Sequence, residues 1–100
     1  MTAAHIDARR LKKRAETALI DRLIAQESLG PDGIPCLAAV PRDRPLDSQG
    51  HVGLRVWCKF CVAWHLHGMG YGHRVAHCVA AESPYNQTGY YLVAATGGQS

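Results

Sequence analysis

Residues 55–79 read RVWCKFCVAWHLHGMGYGHRVAHCV and gather three of the chain's four cysteines and four of its six histidines. Thiolate and imidazole are the donors that zinc takes in a tetrahedron, and a C-x-x-C turn aims two thiolates at one ion from a single tight loop. Cys58-Lys59-Phe60-Cys61 has that form. A bound metal ion, with zinc the expected cofactor, would staple a core too small to stand alone, since a chain of 100 residues buries only about two thirds of the surface it exposes when unfolded.

Redox motifs share the C-x-x-C spacing, but a thioredoxin-like site needs it to open a helix after a strand in a βαβ unit, and nothing downstream supplies that layout. A finger reading, Cys58-x2-Cys61-x11-His73-x3-His77, falls one residue short of the usual spacing. It also needs a helix through Gly68, Gly70 and Gly72, each of which weakens a helix by about 1 kcal/mol relative to alanine. If residues 62–67 and 73–79 are instead strands joined by GMGYG, position 67 faces 73 and position 62 faces 78. That register returns Cys78 to the C-x-x-C turn as third ligand. The fourth stays open between two histidines. His65 lies four residues beyond Cys61, within reach if the chain curls there. His77 adjoins Cys78 but points to the other face of a regular strand. His67, His73 and Arg74 are left to orient the ligands or to form a small polar site.

Two competing readings come from the same residues. Disulfide pairing of Cys58 or Cys61 with Cys78 is the oxidising-compartment alternative; a reducing compartment favours metal. A zinc ion with an open position could activate water, making the chain a small hydrolase. Glu82 alone is poor company for such chemistry, and the lack of a well-spaced carboxylate base weighs against an enzyme.

Upstream of the cluster, residues 30–53 hold four prolines and four glycines, which excludes a helix and leaves room for one short strand at IPCLAAV. Cys36 lies there and reads as a small buried side chain more readily than as a ligand. Residues 5–28 repeat apolar side chains at three- and four-residue steps through Ile6, Leu11, Ala15, Ala18, Leu19, Leu23 and Ile24, predicting an amphipathic helix stopped by Gly30 and Pro31. Beyond the cluster, GYYLVAA predicts a last strand after the turn SPYNQTG, with Tyr90 and Leu92 on one face and Tyr91 and Val93 on the other. Trp57, Phe60, Trp64 and Leu66 are the expected aromatic and aliphatic core beside the metal, although Phe60 at the tip of the C-x-x-C turn could equally be exposed.

The fold expected is therefore α+β: an N-terminal amphipathic helix on a small antiparallel zinc-stapled sheet, zinc-ribbon-like, in one domain over 1–100. Within it, 1–29 is helix, 30–52 a connector with a short strand, and 53–100 the zinc-binding β module. No apolar run approaches the ~20 residues of a membrane span, and no apolar segment follows the early basic residues as in a secretory signal, so a cytoplasmic protein is expected.

Net charge is +3, and residues 54–80 carry Arg55, Lys59 and Arg74 with no acid. With Arg9 and Lys13 in the helix, these are the candidate contacts for nucleic acid or a protein partner, although charge of this size is equally that of an ordinary solvated surface.

The frame C-x2-C-x3-H-x-H-G, then G-H-R-x2-H-C, then S-P-Y-x2-T-G-Y, over residues 58–90, resembles small proteins of actinobacteria and their phages. The resemblance implies a compact metal-binding module and leaves residues 1–52 without a counterpart. A small non-enzymatic binding module is the function expected. An inhibitor carried by a phage or mobile element, docking on a host protein through the helix or an exposed strand edge, is the alternative.

Overall fold

The computed structural model describes residues 3–96, with side chains from residue 13 onward. Helix α1 spans Ala3–Ala25 and six strands follow: β1 Ser28–Leu29, β2 Pro35–Pro41, β3 Leu54–Cys58, β4 Ala63–His67, β5 Gly72–Arg74 and β6 Tyr90–Ala94, with the single turn α2, Tyr85–Thr88, before the last. The α+β class expected from the sequence is the one observed.

α1 ends earlier than the Gly30–Pro31 pair suggests, because Ser28 and Leu29 are drawn into a strand against Cys36 and Pro35. The turn between β1 and β2 is held by Asp32, whose Oδ1 accepts the Ile34 N–H at 3.1 Å, and by Gly33 at φ +83°. Among the described side chains of α1, those of the last two turns pack. Leu23 is buried and Leu19, Ile20 and Ile24 are half-buried, whereas Ala15 and Ala18, expected in the same stripe, are exposed. The helix sits on β2 and β3. Its end is tied to the end of β6 by Gln26, whose Nε2 donates to the Thr96 carbonyl at 2.6 Å while its Oε1 accepts the Thr96 N–H at 2.8 Å.

The strand order is β4-β3-β2-β6-β5, with β1 also on β2. β2 is the expected strand inside the connector, and Pro35 and Pro41 stand at its two ends, where a missing N–H does least harm. It changes partner along its length. Cys36–Ala39 run parallel to Tyr91–Ala94 of β6, and Val40 and Pro41 then pair antiparallel with Arg55 and Leu54 of β3. One central pairing is thus parallel, a departure from the all-antiparallel sheet expected.

A second departure concerns the glycine-rich turn. Residues 62–67 and 73–79 do not form a hairpin. β4 pairs with β3, β5 pairs with β6, and the two lie at opposite ends of the strand order. Only Gly72–Arg74 is extended; residues 75–82 form no strand, and Cys78 comes back to the C-x-x-C turn through that loop.

The core holds Leu37, Ala39, Leu54, Val56, Cys58, Ala76, Tyr85, Tyr90 and Leu92. Tyr90, Leu37, Leu92, Val56 and Cys58 are its largest fully buried side chains. The expected aromatic core is corrected by the register of β3 and β4. Trp57 faces Trp64 and Arg55 faces Leu66 on the side of the ladder opposite Val56 and Cys58. Both tryptophans are only half-buried, packed edge-on at 5.4 Å, and Leu66 is 57% exposed. Phe60 does reach the core, edge-on to Tyr85 at 5.1 Å.

Candidate metal centre

The turn between β3 and β4 is the C-x-x-C loop itself, since Cys58 and Ala63 form the last pair of the ladder. The Cys61 N–H donates to Cys58 Sγ at 3.4 Å, the inward-turned amide that such a loop supplies to a thiolate. Closing the loop forces Val62 to φ +52°, rare for a β-branched residue and the one non-glycine positive φ among the described residues.

Cys58, Cys61, His65 and Cys78 come together here, each offering one ligand atom, with all four atoms within 4.8 Å of one another. Cys58 is fully buried and the other three are half-buried. Cys58 Sγ and Cys78 Sγ are 3.7 Å apart, far beyond an S–S bond of about 2.05 Å, and all four cysteines of the chain are free. Two thiolates on a tetrahedral ion at about 2.3 Å would stand about 3.8 Å apart. The observed spacing therefore fits a shared ion and leaves the disulfide reading without a bond.

The surroundings fix each donor. Ser83, buried, donates from Oγ to Cys78 Sγ at 3.2 Å and accepts the Tyr85 N–H at 3.3 Å, so the start of α2 holds the third thiol in place. His65 Nδ1 lies 3.2 Å from the Tyr90 hydroxyl, and that hydroxyl lies 2.7 Å from His67 Nε2, so one hydroxyl bridges the two imidazoles. With Nδ1 engaged, Nε2 of His65 is the nitrogen left for an ion, and Tyr90 and His67 fix its tautomer.

Electrostatics divides the thiols. Burial pushes Cys58 up to about 12, while backbone N–H groups, that of Ala80 foremost, hold Cys61 below its usual value. Desolvation lowers both imidazoles, that of His67 to about 4 with help from the Arg74 charge, so each is a neutral base near neutrality. A divalent cation would supply the charge that lets the buried thiols ionise together.

His77, the other candidate fourth ligand, is exposed and outside the four-donor group. Cys36 is also outside it, half-buried on β2. His73 is exposed, its Nε2–H donating to the Thr88 carbonyl at 2.9 Å. The link that sequence reasoning missed is Tyr90, which the alternation of β6 sets on one face with Leu92 without saying which face is buried or naming a polar partner.

The candidate partner cations are largely engaged within the chain. Arg55 lies 4.1 Å over the Trp64 ring, donates from Nε to the Pro41 carbonyl at 3.2 Å and approaches Asp43 at 3.4 Å. Lys59 pairs with Glu27 at 3.2 Å. Arg74 donates to the carbonyls of Met69, Gly70 and His73, closing the loop before β5. Lys13 is exposed, and the side chain of Arg9 lies outside the described residues. No helix among the described residues is long and apolar enough to cross a membrane. No protein-family model, curated protein or solved structure matches the chain.

Proposed function

We propose that the protein is a small, non-enzymatic binding module whose fold is closed by a structural zinc ion on Cys58, Cys61, His65 and Cys78, and whose work is contact with nucleic acid. The observation that carries this reading is the four-donor group itself. Three thiolates and one imidazole are a donor set of structural zinc sites, and four protein ligands leave no position for a reacting water. A closed site argues against the hydrolase reading. The resemblance of residues 58–90 to small proteins of actinobacteria and their phages supports the same kind of compact module, and the net charge of +3 supports an anionic partner.

Elemental analysis of the purified chain should return one zinc per chain, with four thiols titratable after chelation and unfolding. A metal-free, fully folded protein would overturn the reading.

Docking on a host protein, the inhibitor reading, is favoured by a separate observation. Leu66, Met69, Tyr71, Val75 and Val79 are all between 54% and 89% exposed. Single exposed apolar residues are common, but five within fourteen positions are more than a solvated surface requires. That reading expects a complex that survives nuclease and high salt.

A further inference from the structure

The connector after β2 and the outer side of the β3–β4 ladder enclose a concave site of about 390 Å³ lined by Arg42, Asp43, Arg44, Arg55, Trp64 and Leu66. Three arginines and one carboxylate line it; Arg55 pairs with Asp43, and among the described residues Arg42 and Arg44 have no ion-pair partner. Trp64 and Leu66 lie on β4, an end strand of the sheet, so no further strand of the described residues pairs along its outer side.

We infer that this groove binds single-stranded nucleic acid, with Trp64 and its overlying Arg55 as a stacking platform for a base and with Arg42 and Arg44 on the flanking phosphates. The inference deepens the proposed function and rests on it. Arg55 is held at 4.1 Å from the indole by two further contacts, to the Pro41 carbonyl and Asp43, so the stack is formed before any ligand arrives. Bases stack on indole and guanidinium faces without regard to sequence, while cations along the groove track the backbone.

The other anionic partners fit less of the site. An acidic peptide would use the charge of the guanidiniums and leave the planar stack of Arg55 on Trp64 without a partner face. A duplex hides its base faces and would use only the cations. The groove also lies apart from Lys59 and Arg74, so of the three cations that the acid-free run in the sequence singles out, only Arg55 takes part.

The test uses the zinc-loaded full chain and a fluorescein-labelled oligouridylate of roughly ten nucleotides, a length in the usual site range, followed by anisotropy across salt concentrations. Binding should quench tryptophan fluorescence and weaken with salt. Arg44→Ala should reduce the slope of log affinity against log salt by about 0.7, the share of one phosphate contact. Trp64→Leu should lower affinity about tenfold, and Trp64→Phe should restore most of it. Arg22→Ala, the same charge change on α1, should leave affinity unchanged.

Equal affinity for a duplex of the same length would overturn the stacking role. Tighter binding of a polyglutamate peptide would reassign the groove to an acidic protein segment. Arg44→Ala behaving like Arg22→Ala would also sink the inference. If the oligomer is not bound while zinc stoichiometry and chelator-induced unfolding stand, this inference fails alone. If the chain folds without metal or cleaves the oligomer, the reading beneath it fails.

Discussion

The Nδ1 atom of His65 and the hydroxyl of Tyr90 lie 3.2 Å apart, joining an end strand of the sheet to β6 across the core. Tyr90 is fully buried and its hydroxyl also lies 2.7 Å from His67 Nε2, so one hydroxyl serves two imidazoles. Tyr90→Phe removes that hydroxyl and leaves two half-buried ring nitrogens without that partner, at about 1 kcal/mol each. Zinc affinity, measured by competition with a chromophoric chelator, should fall roughly tenfold or more as His65 loses its orientation. Unchanged affinity would show that the imidazole needs no support.

Cys58 and Cys36 should respond in opposite ways. Cys58 is fully buried in the core and within reach of three other donors, so Cys58→Ser should abolish stoichiometric zinc and unfold the chain. The apparent free energy of a structural zinc site, about 10–16 kcal/mol, rivals the entire stability of a small domain. Cys36→Ser should keep both metal and fold. Circular dichroism melts beside metal analysis compare the two, and a folded Cys58→Ser protein would remove zinc from its structural role.

Val62 stores strain in the C-x-x-C turn. Its φ of +52° is one that glycine adopts freely, and its side chain is 70% exposed, so little packing is lost on truncation. Val62→Gly should therefore stabilise the zinc-loaded protein by about 1 kcal/mol, after the entropy that glycine adds to the unfolded chain is subtracted. A higher midpoint in chemical denaturation is the expected result.

Asp32 links the β1–β2 turn to β6. The Ile34 N–H, first, and the Tyr91 hydroxyl at 3.1 Å hold its carboxyl below the usual 3.8. A carboxyl depressed in the folded state contributes stability above its unfolded pKa, and that contribution is lost as pH falls through the lower folded value. The acid limb of the stability curve below pH 3.8 should flatten in Asp32→Asn, with little change in zinc content. An identical acid limb in the variant would refute the assignment.

How much of this the sequence reveals depends on the range of the interaction involved. The C-x-x-C loop is local chemistry, and its position between two β-patterned segments locates the metal centre; the strand within the proline-rich connector is legible because Pro35 and Pro41 bracket it. Pairing is not local. GMGYG looks like a hairpin turn, yet β4 and β5 take different neighbours, because alternation assigns faces and does not choose partners. The third thiol is anticipated for the wrong reason. Cys78 arrives on a loop fastened by Ser83 and by backbone amides at Cys61, not on a strand opposite residue 62. Trp57 and Trp64 mislead through their size, since one step of strand parity puts both on the outer side of the ladder.

The parallel seam between β2 and β6 governs how the chain must assemble. Cys36 waits for Tyr91 and Ala39 for Ala94, so the sheet's middle is joined only when β6 arrives. Contacts this distant in sequence raise the contact order and slow the search, because loop closure comes before any reward. A ribosome-bound chain stopped short of Tyr90 would hold its C-x-x-C loop in outline and lack the strand that closes the middle of the sheet.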